Sequence, residues 1–565
     1  MKKTLNYIKP YKGELIGGLV LKFIGSVSEL FLPLLLDYMV DYGVPSKDIN
    51  LIVVLGVIML VFSAAALLGN IFANRLVALW AGKMTKDLRQ ALFAKITYMS
   101  SLGVDKFTAP SLVSRLTSDT YYVNQTVART MRMGVRAPIL LIGGIAFTFL
   151  LDWRLALVLA ACVPFVTLAA VVITKKLFKA FSEVQQKGDA VVRAMQENVS
   201  GVRVIKALSQ TDYESEKFKV TNKKLADNDL KASMISSLNN PVINLILELA
   251  LVGVIALGAY LSTSSGTLIA FLSYFTLLVN AMLGISKIFV GLSRGLASSA
   301  RIEKVLEYDG DMPIFDCPEG DSQNAIEFRD VSFSYNGKGD NLSGISFSVK
   351  HGQTLGIIGG TGSGKSTIVN LLMRFYDVDG GAVYIDGKDV RTYQSQALRQ
   401  KFGCVFQNDF LFADTIEENI KYFRDIQKAD FDKAVRCACA EEIISEREEG
   451  INYRLAQKAT NLSGGQKQRL LIARALAGNP EILVLDDSSS ALDYATDATL
   501  RQNLAKEYSS CTKIIVAQRV SAVKNADLII VLNDGEIAGM GTHAKLVQSC
   551  EEYRLIVQAQ MGVEV

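Results

Sequence analysis

Apolar positions follow two regimes along the chain of 565 residues. Up to about residue 290 they gather in long uncharged runs, and beyond about residue 325 they alternate in short stretches with Gly, Asp, Lys and Glu. A helix needs about 20 mostly apolar residues to cross a bilayer core. Six runs read as such spans: Leu15 to Val40, Leu51 to Ala73, Pro138 to Leu151, Leu155 to Thr174, Pro241 to Leu261 and Thr267 to Ser286. The third is short and stops at Asp152, so it must draw on residues before Arg136 or turn into the fourth within two or three residues. Segments after the first, third and fifth runs (VDYGVPSKDIN, DWR, STSSG) are short and almost free of Lys and Arg. Those after the second and fourth are long and basic, so the positive-inside tendency puts the long loops and both termini in the cytosol. These loops are themselves patterned as helix, as in KGDAVVRAMQENVSGVRVIKAL from Lys187, which predicts helices continuing beyond the bilayer. Pro33 and Pro164 fall inside spans, where a kink is tolerated.

The second regime predicts strands for IEFRDVSFSY and ISFSVKHGQTLGIIGG, the latter leading into GGTGSGKST and the helical STIVNLLMRFY. The expected organisation is a membrane α-helical bundle over 1–305, a polar linker over 306–324 and an α/β nucleotide-binding domain over 325–565. Composition fits two unlike parts: 50% hydrophobic residues and a mean hydropathy of +0.26 coexist with an ordinary 21% of charged residues. A net charge of +4 without a dense basic block excludes nucleic acid as a partner. The seven cysteines are scattered with no C-x-x-C, and the only histidines are His351 and His543, which excludes a zinc site or disulfide framework and reads most of the cysteines as buried, reduced thiols. The opening MKKTLNYIKPYKGEL lacks a small-residue cleavage site and reads as a retained lead-in.

Charge inside the spans is the first candidate chemistry. Glu29 in SVSELFLPLLL and Glu248 in NLILELALVGV sit where an unpaired carboxylate costs several kcal/mol. Either the two anchor a cationic cargo in a central cavity, or each is a protonated or hydrogen-bonded structural contact between helices. The second candidate is stronger. Gly359, Gly360, Thr361, Gly362, Ser363, Gly364, Lys365, Ser366 and Thr367 form a P-loop between a strand and a helix. Its glycines turn backbone N–H groups toward phosphate oxygens, Lys365 reaches the terminal phosphates, and Ser366 ligates magnesium. EILVLDD then supplies an apolar strand ending in Asp486, placed for the magnesium shell of a P-loop NTPase.

Between these stands NLSGGQKQRLLIARAL, and Leu462, Ser463, Gly464, Gly465 and Gln466 resemble the signature of ATP-binding-cassette transporters. The order of P-loop, Gln407 in VFQNDFLF, signature, Asp486 and then SALD at Ser490 to Asp493 is similar to that family throughout, and the whole chain resembles a half-transporter of the multidrug-exporter type, type IV in fold. The resemblance implies ATP and Mg2+ as ligands and a dimer in which Ser463, Gly464, Gly465 and Gln466 face the nucleotide of the opposite subunit. It further implies stacking of adenine on Tyr335, contact of Gln407 with magnesium and attacking water, and coupling of cassette to bundle through SLVSRLTSD and NVSGVRVIKAL.

Three positions depart from the family pattern. Asp487 stands where a glutamate base is usual, Gln518 in KIIVAQR stands where a histidine is usual, and Gln457, Lys458 and Ala459 replace an acidic-basic-glycine stretch. A base one methylene short is withdrawn by more than about 1 Å, and glutamine carries no proton or charge at neutral pH. The expectation is a degenerate, slowly hydrolysing ATP site in one subunit of a heterodimeric exporter, embedded in the cell membrane and moving amphipathic or lipophilic cargo. The alternatives are a homodimer with slow ATPase and an ATP-gated channel or regulator.

Overall fold

A computed structural model describes the chain except residues 1–3, 5, 311, 322, 336, 338 and 562–565. It divides into two units, one of Met1–Met99 with Val104–Asp309 and one of Ser100–Gly103 with Gly310–Val565.

The first unit is helical, built on α1 (Lys12–Tyr38), α2 (Ile49–Thr97), α3 (Thr120–Leu151), α4 (Trp153–Ser200), α5 (Thr211–Ser237), α6 (Asn239–Tyr260) and α7 (Ser265–Leu306). Among the described residues, six stretches are long and apolar enough to cross a membrane, with α5 and α6 together carrying one of them. α2 has 49 residues. At 1.5 Å per residue that is ~73 Å, more than twice a hydrocarbon core of ~30 Å, so the helix runs far past the bilayer as its patterning predicts.

The short third run is resolved at both ends. α3 starts at Thr120 and so does draw on residues before Arg136. Its turn into α4 is a single residue rather than two or three. Asp152 is extended, and its carboxylate accepts from the backbone N–H of Arg154 (2.8 Å) and Leu155 (3.4 Å), capping α4 where Trp153 is already helical.

The loop expected over VDYGVPSKDIN also shrinks. Helix persists beyond α1 through a π turn (Met39–Gly43) and a further turn (Val44–Ser46), leaving Lys47 and the α2 cap Asp48. Distant contacts hold this extra turn. Asp41 accepts from the N–H of Gly266 (2.8 Å) and from the Ser264 hydroxyl, and Asp37 accepts from the Thr267 hydroxyl (2.9 Å). Carboxylates at the end of α1 thus satisfy donors that the first turn of α7 leaves open. Where α1 crosses α2, a Cβ on Gly69 would stand 3.0 Å from the Leu21 carbonyl oxygen and 3.1 Å from the Gly25 Cα. Small residues there let two backbones touch.

The second unit holds two sheets. The first, in order β2-β1-β4-β5, is antiparallel and consists of β1 (Asn324–Phe333), β2 (Leu342–Lys350), β4 (Gly380–Ile385) and β5 (Lys388–Asp389). The second runs β10-β9-β3-β8-β7-β6 and contains β3 (Thr354–Gly359), β6 (Phe402–Val405), β7 (Ile482–Asp486), β8 (Thr512–Val516), β9 (Leu528–Asn533) and β10 (Glu536–Gly541). All but β10 are parallel. Both faces of its parallel part are covered, so strands there read as apolar runs, as in Ile482 to Leu485. One core, with Phe328, Phe347, Ile368 and Leu372, lies around the P-loop helix α8 (Lys365–Leu372); another, with Phe431, Leu470 and Leu476, lies around α9 (Gly464–Leu476). All seven cysteines are free; Cys437, Cys511 and Cys550 are buried and the other four half-buried.

Candidate functional site

The site grows from the C-terminal ends of the parallel strands, where such sheets bind ligands. β3 ends at Gly359, residues 360–364 form a loop, and α8 begins at Lys365. Glycine is required twice for space and twice for conformation, since Gly362 (φ 84°) as well as Gly364 has a positive φ. A Cβ on Gly359 would lie 2.2 Å from the Leu532 carbonyl oxygen, and one on Gly364 would lie 2.6 Å from Leu342 Cδ2, while Gly364 also has φ of 98°. Gly360 and Gly362 have nothing within 4 Å of a Cβ position, so the loop is open on that side. The Ser363 hydroxyl is buried without a partner.

Lys365 bends back over this loop, its ammonium donating to the carbonyls of Gly359 (3.0 Å) and Gly360 (2.5 Å). Burial pushes its pKa below the ordinary lysine value, and Asp486 and Asp487 oppose that shift. Ser366 donates its hydroxyl to Asp486 Oδ2 at 2.8 Å. Asp486 is 5% exposed, and burial pushes its carboxyl above the usual range; Ser366 and Lys365 pull it back and Asp487 adds to the rise. An open glycine loop, a lysine resting on carbonyls it can leave, an orphaned hydroxyl and a hydroxyl–carboxylate pair fit a nucleotide triphosphate with Mg2+.

Sheet order gathers the rest. β8 lies beside β3, β7 beside β8 and β6 beside β7, with Asp486 opposite Val516 and Leu485 opposite Val405. Residues just past these strands therefore leave at one edge. A cleft of ≈ 270 Å³ is lined by Lys365, Ser366, Gln407, Asp486, Asp487 and Gln518, among others. No histidine lines it among the described residues.

Asp487 has a left-handed backbone, φ 50°. Its N–H donates to the Val516 carbonyl (2.9 Å), and its own carbonyl accepts from the Ser490 hydroxyl (2.9 Å). The main chain is thus pinned on both sides, and the reach of the carboxylate is set by side-chain length. Aspartate tolerates the left-handed region better than most residues. Gln518 is exposed and its carbonyl accepts from Gln560 Nε2 (2.7 Å), while Gln560 Oε1 accepts from the Val520 N–H (2.8 Å).

Tyr335 stands apart from the cleft lining. It is 37% exposed, edge-on to Phe333 and Tyr376, and its hydroxyl accepts from Asn370 of α8 at 2.9 Å. Ser463 caps α9 in a reciprocal box: its hydroxyl accepts from the Gln466 N–H (3.3 Å) and its N–H donates to Gln466 Oε1 (3.1 Å). Gly464 and Gly465 lie over Ala491 of the SALD segment. None of Ser463 to Gln466 lines the P-loop cleft. Before the signature, Lys458 (φ 57°) and Ala459 (φ 49°) both adopt the left-handed backbone that a glycine takes without strain.

In the first unit, Glu29 carries its own counter-ion. Arg136 Nη2 donates to both of its oxygens, at 2.8 and 2.9 Å. Glu29 is thus ion-paired across α1 and α3 rather than protonated or held by neutral hydrogen bonds. Glu248 lies on an exposed face of α6, and no hydrogen bond or ion pair reaches it among the described residues.

Two residues at the site carry no sequence signal. Asn341 lines the cleft and accepts the Tyr335 N–H at 3.0 Å, and Gln560 holds the Gln518 turn from 42 positions away. A spacing rule finds neither, because tertiary packing alone brings them in.

Comparison with known proteins agrees with this geometry. Residues 15–282 match the ABC transporter transmembrane region and residues 342–490 match the ABC transporter family proper. YfiB of Bacillus subtilis, an uncharacterised ABC transporter ATP-binding protein, is 33% identical over all of this chain and 99% of its own length. The ATP-dependent lipid A-core flippase of Vibrio vulnificus is 30% identical over 99% of this chain and 97% of its own. The structure of a bacterial Atm1-family ABC exporter with ATP bound superposes with a TM-score of 0.82 over 98% of this chain and 99% of that one, at 23% identity, which shows a shared fold. The chain belongs to the ABC transporter family and joins a multi-pass membrane bundle to an ATP-binding cassette in one polypeptide.

Proposed function

We propose that the chain is one subunit of a heterodimeric exporter that moves amphipathic or lipophilic cargo across the cell membrane, with cassette and termini cytosolic. Its own cradle holds ATP and Mg2+ and turns them over slowly. The observation that supports this reading is the cleft lining: Asp487 and Gln518 stand beside Lys365, Ser366 and Asp486, where the family resemblance expects a glutamate and a histidine.

In this reading Lys365 exchanges its carbonyl partners for phosphate oxygens, and Ser366 with Asp486 would hold the metal, which draws charge off the terminal phosphate. Gln407 borders the attacking water and Tyr335 stacks on the base. Asp487 is short of the water by more than about 1 Å, a displacement that costs roughly 100-fold in rate. Gln518 hydrogen-bonds phosphate but brings no charge. Ser463 to Gln466 serve the partner's site, which supports why they stand intact and outside this chain's cleft. Closure of the two cassettes shifts the bundle through the loop helices, and differential binding of ATP to the closed state supplies the work. The Vibrio relative is a flippase of lipid A-core, which supports a lipid-like cargo here too.

The test is phosphate release by the full chain purified alone into liposomes. Negligible turnover, unaltered by Asp487→Asn, is expected. Substantial turnover that Asp487→Asn abolishes would instead make the chain a homodimer with Asp487 as its base.

A further inference from the structure

The membrane unit carries a row of cations that the cassette chemistry leaves unexplained. Arg129, Arg132 and Arg136 follow one another on α3 at three- and four-residue spacing, so they rise along one face. Arg136 is engaged by Glu29, whereas Arg129 and Arg132 are exposed and no carboxylate pairs with either among the described residues. Lys22 on α1 is 5% exposed, donates to Asn74 Oδ1 at 3.1 Å, and has Arg132, Arg136 and Glu29 as its charged neighbours. Lys22, Arg132 and Arg136 thus gather around one carboxylate, Glu29. Beside them, a cleft of ≈ 210 Å³ between α3 and α7 is lined by Tyr121, Tyr122, Gln125, Arg129 and Arg294, with no acidic residue among the described residues of its lining.

Depth separates this row from ordinary basic loop residues. Counting 1.5 Å per residue from the α3 end at Leu151, Arg136 lies ~22 Å and Arg129 ~33 Å down the helix, against a hydrocarbon core of ~30 Å. The cleft is therefore at the membrane boundary nearer the Leu306 end of α7, and the row climbs from it into the span. Arg129 stands at the boundary, while Arg132, ~28 Å down the helix, is still within the core; an unpaired arginine there faces a watery cavity or a ligand, because hydrocarbon excludes it. Arginine forks beside tyrosine hydroxyls and an amide match the oxygens of a phosphate or carboxylate. An independent feature repeats the combination: an apolar groove of ≈ 780 Å³ between α4 and α6, walled by Phe165, Leu168, Val172, Ile246 and Leu249, has Lys176 as its one charged lining residue.

We propose that this row binds the anionic head group of an amphiphile, a phosphate or carboxylate carried on an apolar tail, which enters at the cleft and advances from Arg129 toward Arg136. The inference rests on the exporter reading above and names its cargo. It is the opposite charge from the one Glu29 suggests in the sequence, because Arg136 already neutralises that carboxylate.

The test uses the full chain in phosphatidylcholine nanodiscs, titrated by calorimetry with dodecyl phosphate and with dodecyltrimethylammonium, equal tails bearing opposite heads. Dodecyl phosphate should bind at least about tenfold more tightly, the worth of one hydrogen bond to a charged group. Arg129→Gln with Arg132→Gln should remove that preference, while Arg132→Lys keeps most of it and shows that charge, not folding, is read. Equal affinity for the two heads, preference for the ammonium, or a preference untouched by the double substitution overturns the proposal. Inorganic phosphate should displace nothing at the same concentration, and displacement by it would overturn the tailed ligand. Trinitrophenyl-ATP binding in the same discs separates the two readings: nucleotide bound without amphiphile sinks the cargo inference alone, and loss of nucleotide sinks the exporter site itself.

Discussion

One methylene at position 487 decides how the cleft is expected to work. The backbone there is pinned by Val516 and Ser490 in a left-handed conformation, so Asp487→Glu extends the carboxylate without moving its root. Glutamate is less at ease than aspartate in that region, at a cost of about 1 kcal/mol. Stability and turnover should therefore move in opposite directions: Asp487→Glu with Gln518→His lowers the melting temperature slightly while phosphate release rises toward ~100-fold. A variant as slow as the wild type would remove side-chain reach as the explanation. Asp486 poses the complementary case. Burial raises its folded-state pKa above the unfolded value, so the folded chain holds its proton more strongly. Stability from this group is then greatest at low pH and is lost as pH rises through the folded pKa. Asp486→Asn should accordingly stabilise the nucleotide-free chain at neutral pH, with the gap to wild type closing on acidification, and should abolish Mg2+-dependent nucleotide binding. Thermal unfolding across pH and a nucleotide titration check the two halves.

Elements were legible in the sequence to the extent that local chemistry fixes them. The P-loop could be read because Gly359 and Gly364 each face an atom that a side chain would strike, and the spans could be read because hydrocarbon tolerates few charges. Helix ends were not legible. The turn after α1 is held by Asp37 and Asp41 reaching α7 more than 220 positions on, and the turn after α3 is closed by Asp152 alone. The same limit hid the partner of Glu29: Arg136 is 107 positions away and enters only once α1 and α3 pack. That pair makes a prediction. Glu29→Gln leaves a guanidinium in the span without its counter-ion, at a cost of about 1–2 kcal/mol after allowance for the partial exposure of Arg136. Glu29→Gln with Arg136→Gln should recover most of the lost melting temperature in micelles, whereas Arg136→Gln alone should not match it. Equal stability of all four proteins would mean that the bond carries no weight.

An exporter with two unlike sites divides damage unequally, and this gives a test that a single site cannot. In the heterodimeric reading, the cradle around Lys365 and Asp487 belongs to the slow site, while Ser463 to Gln466 complete the fast site on the partner's cradle. Substitutions in one chain should then differ in severity according to which site they touch. Asp487→Asn in the assembled pair should leave transport within about twofold, because that site contributes little turnover. Ser463→Ala should reduce transport about 100-fold, the scale of losing one positioned hydrogen-bond donor to developing charge. Part of that loss comes from α9, since Ser463 is its cap and alanine there costs about 1 kcal/mol. Ser463→Thr keeps the cap hydroxyl and controls for this: it should restore the melting temperature and recover transport in part. In a homodimer every site contains both an Asp487 and a Ser463, so the two substitutions would be equally severe. Membrane vesicles carrying the assembled pair, assayed for cargo uptake with each variant in turn, distinguish the cases, and equal loss for Asp487→Asn and Ser463→Ala would abolish the division between a slow and a fast site.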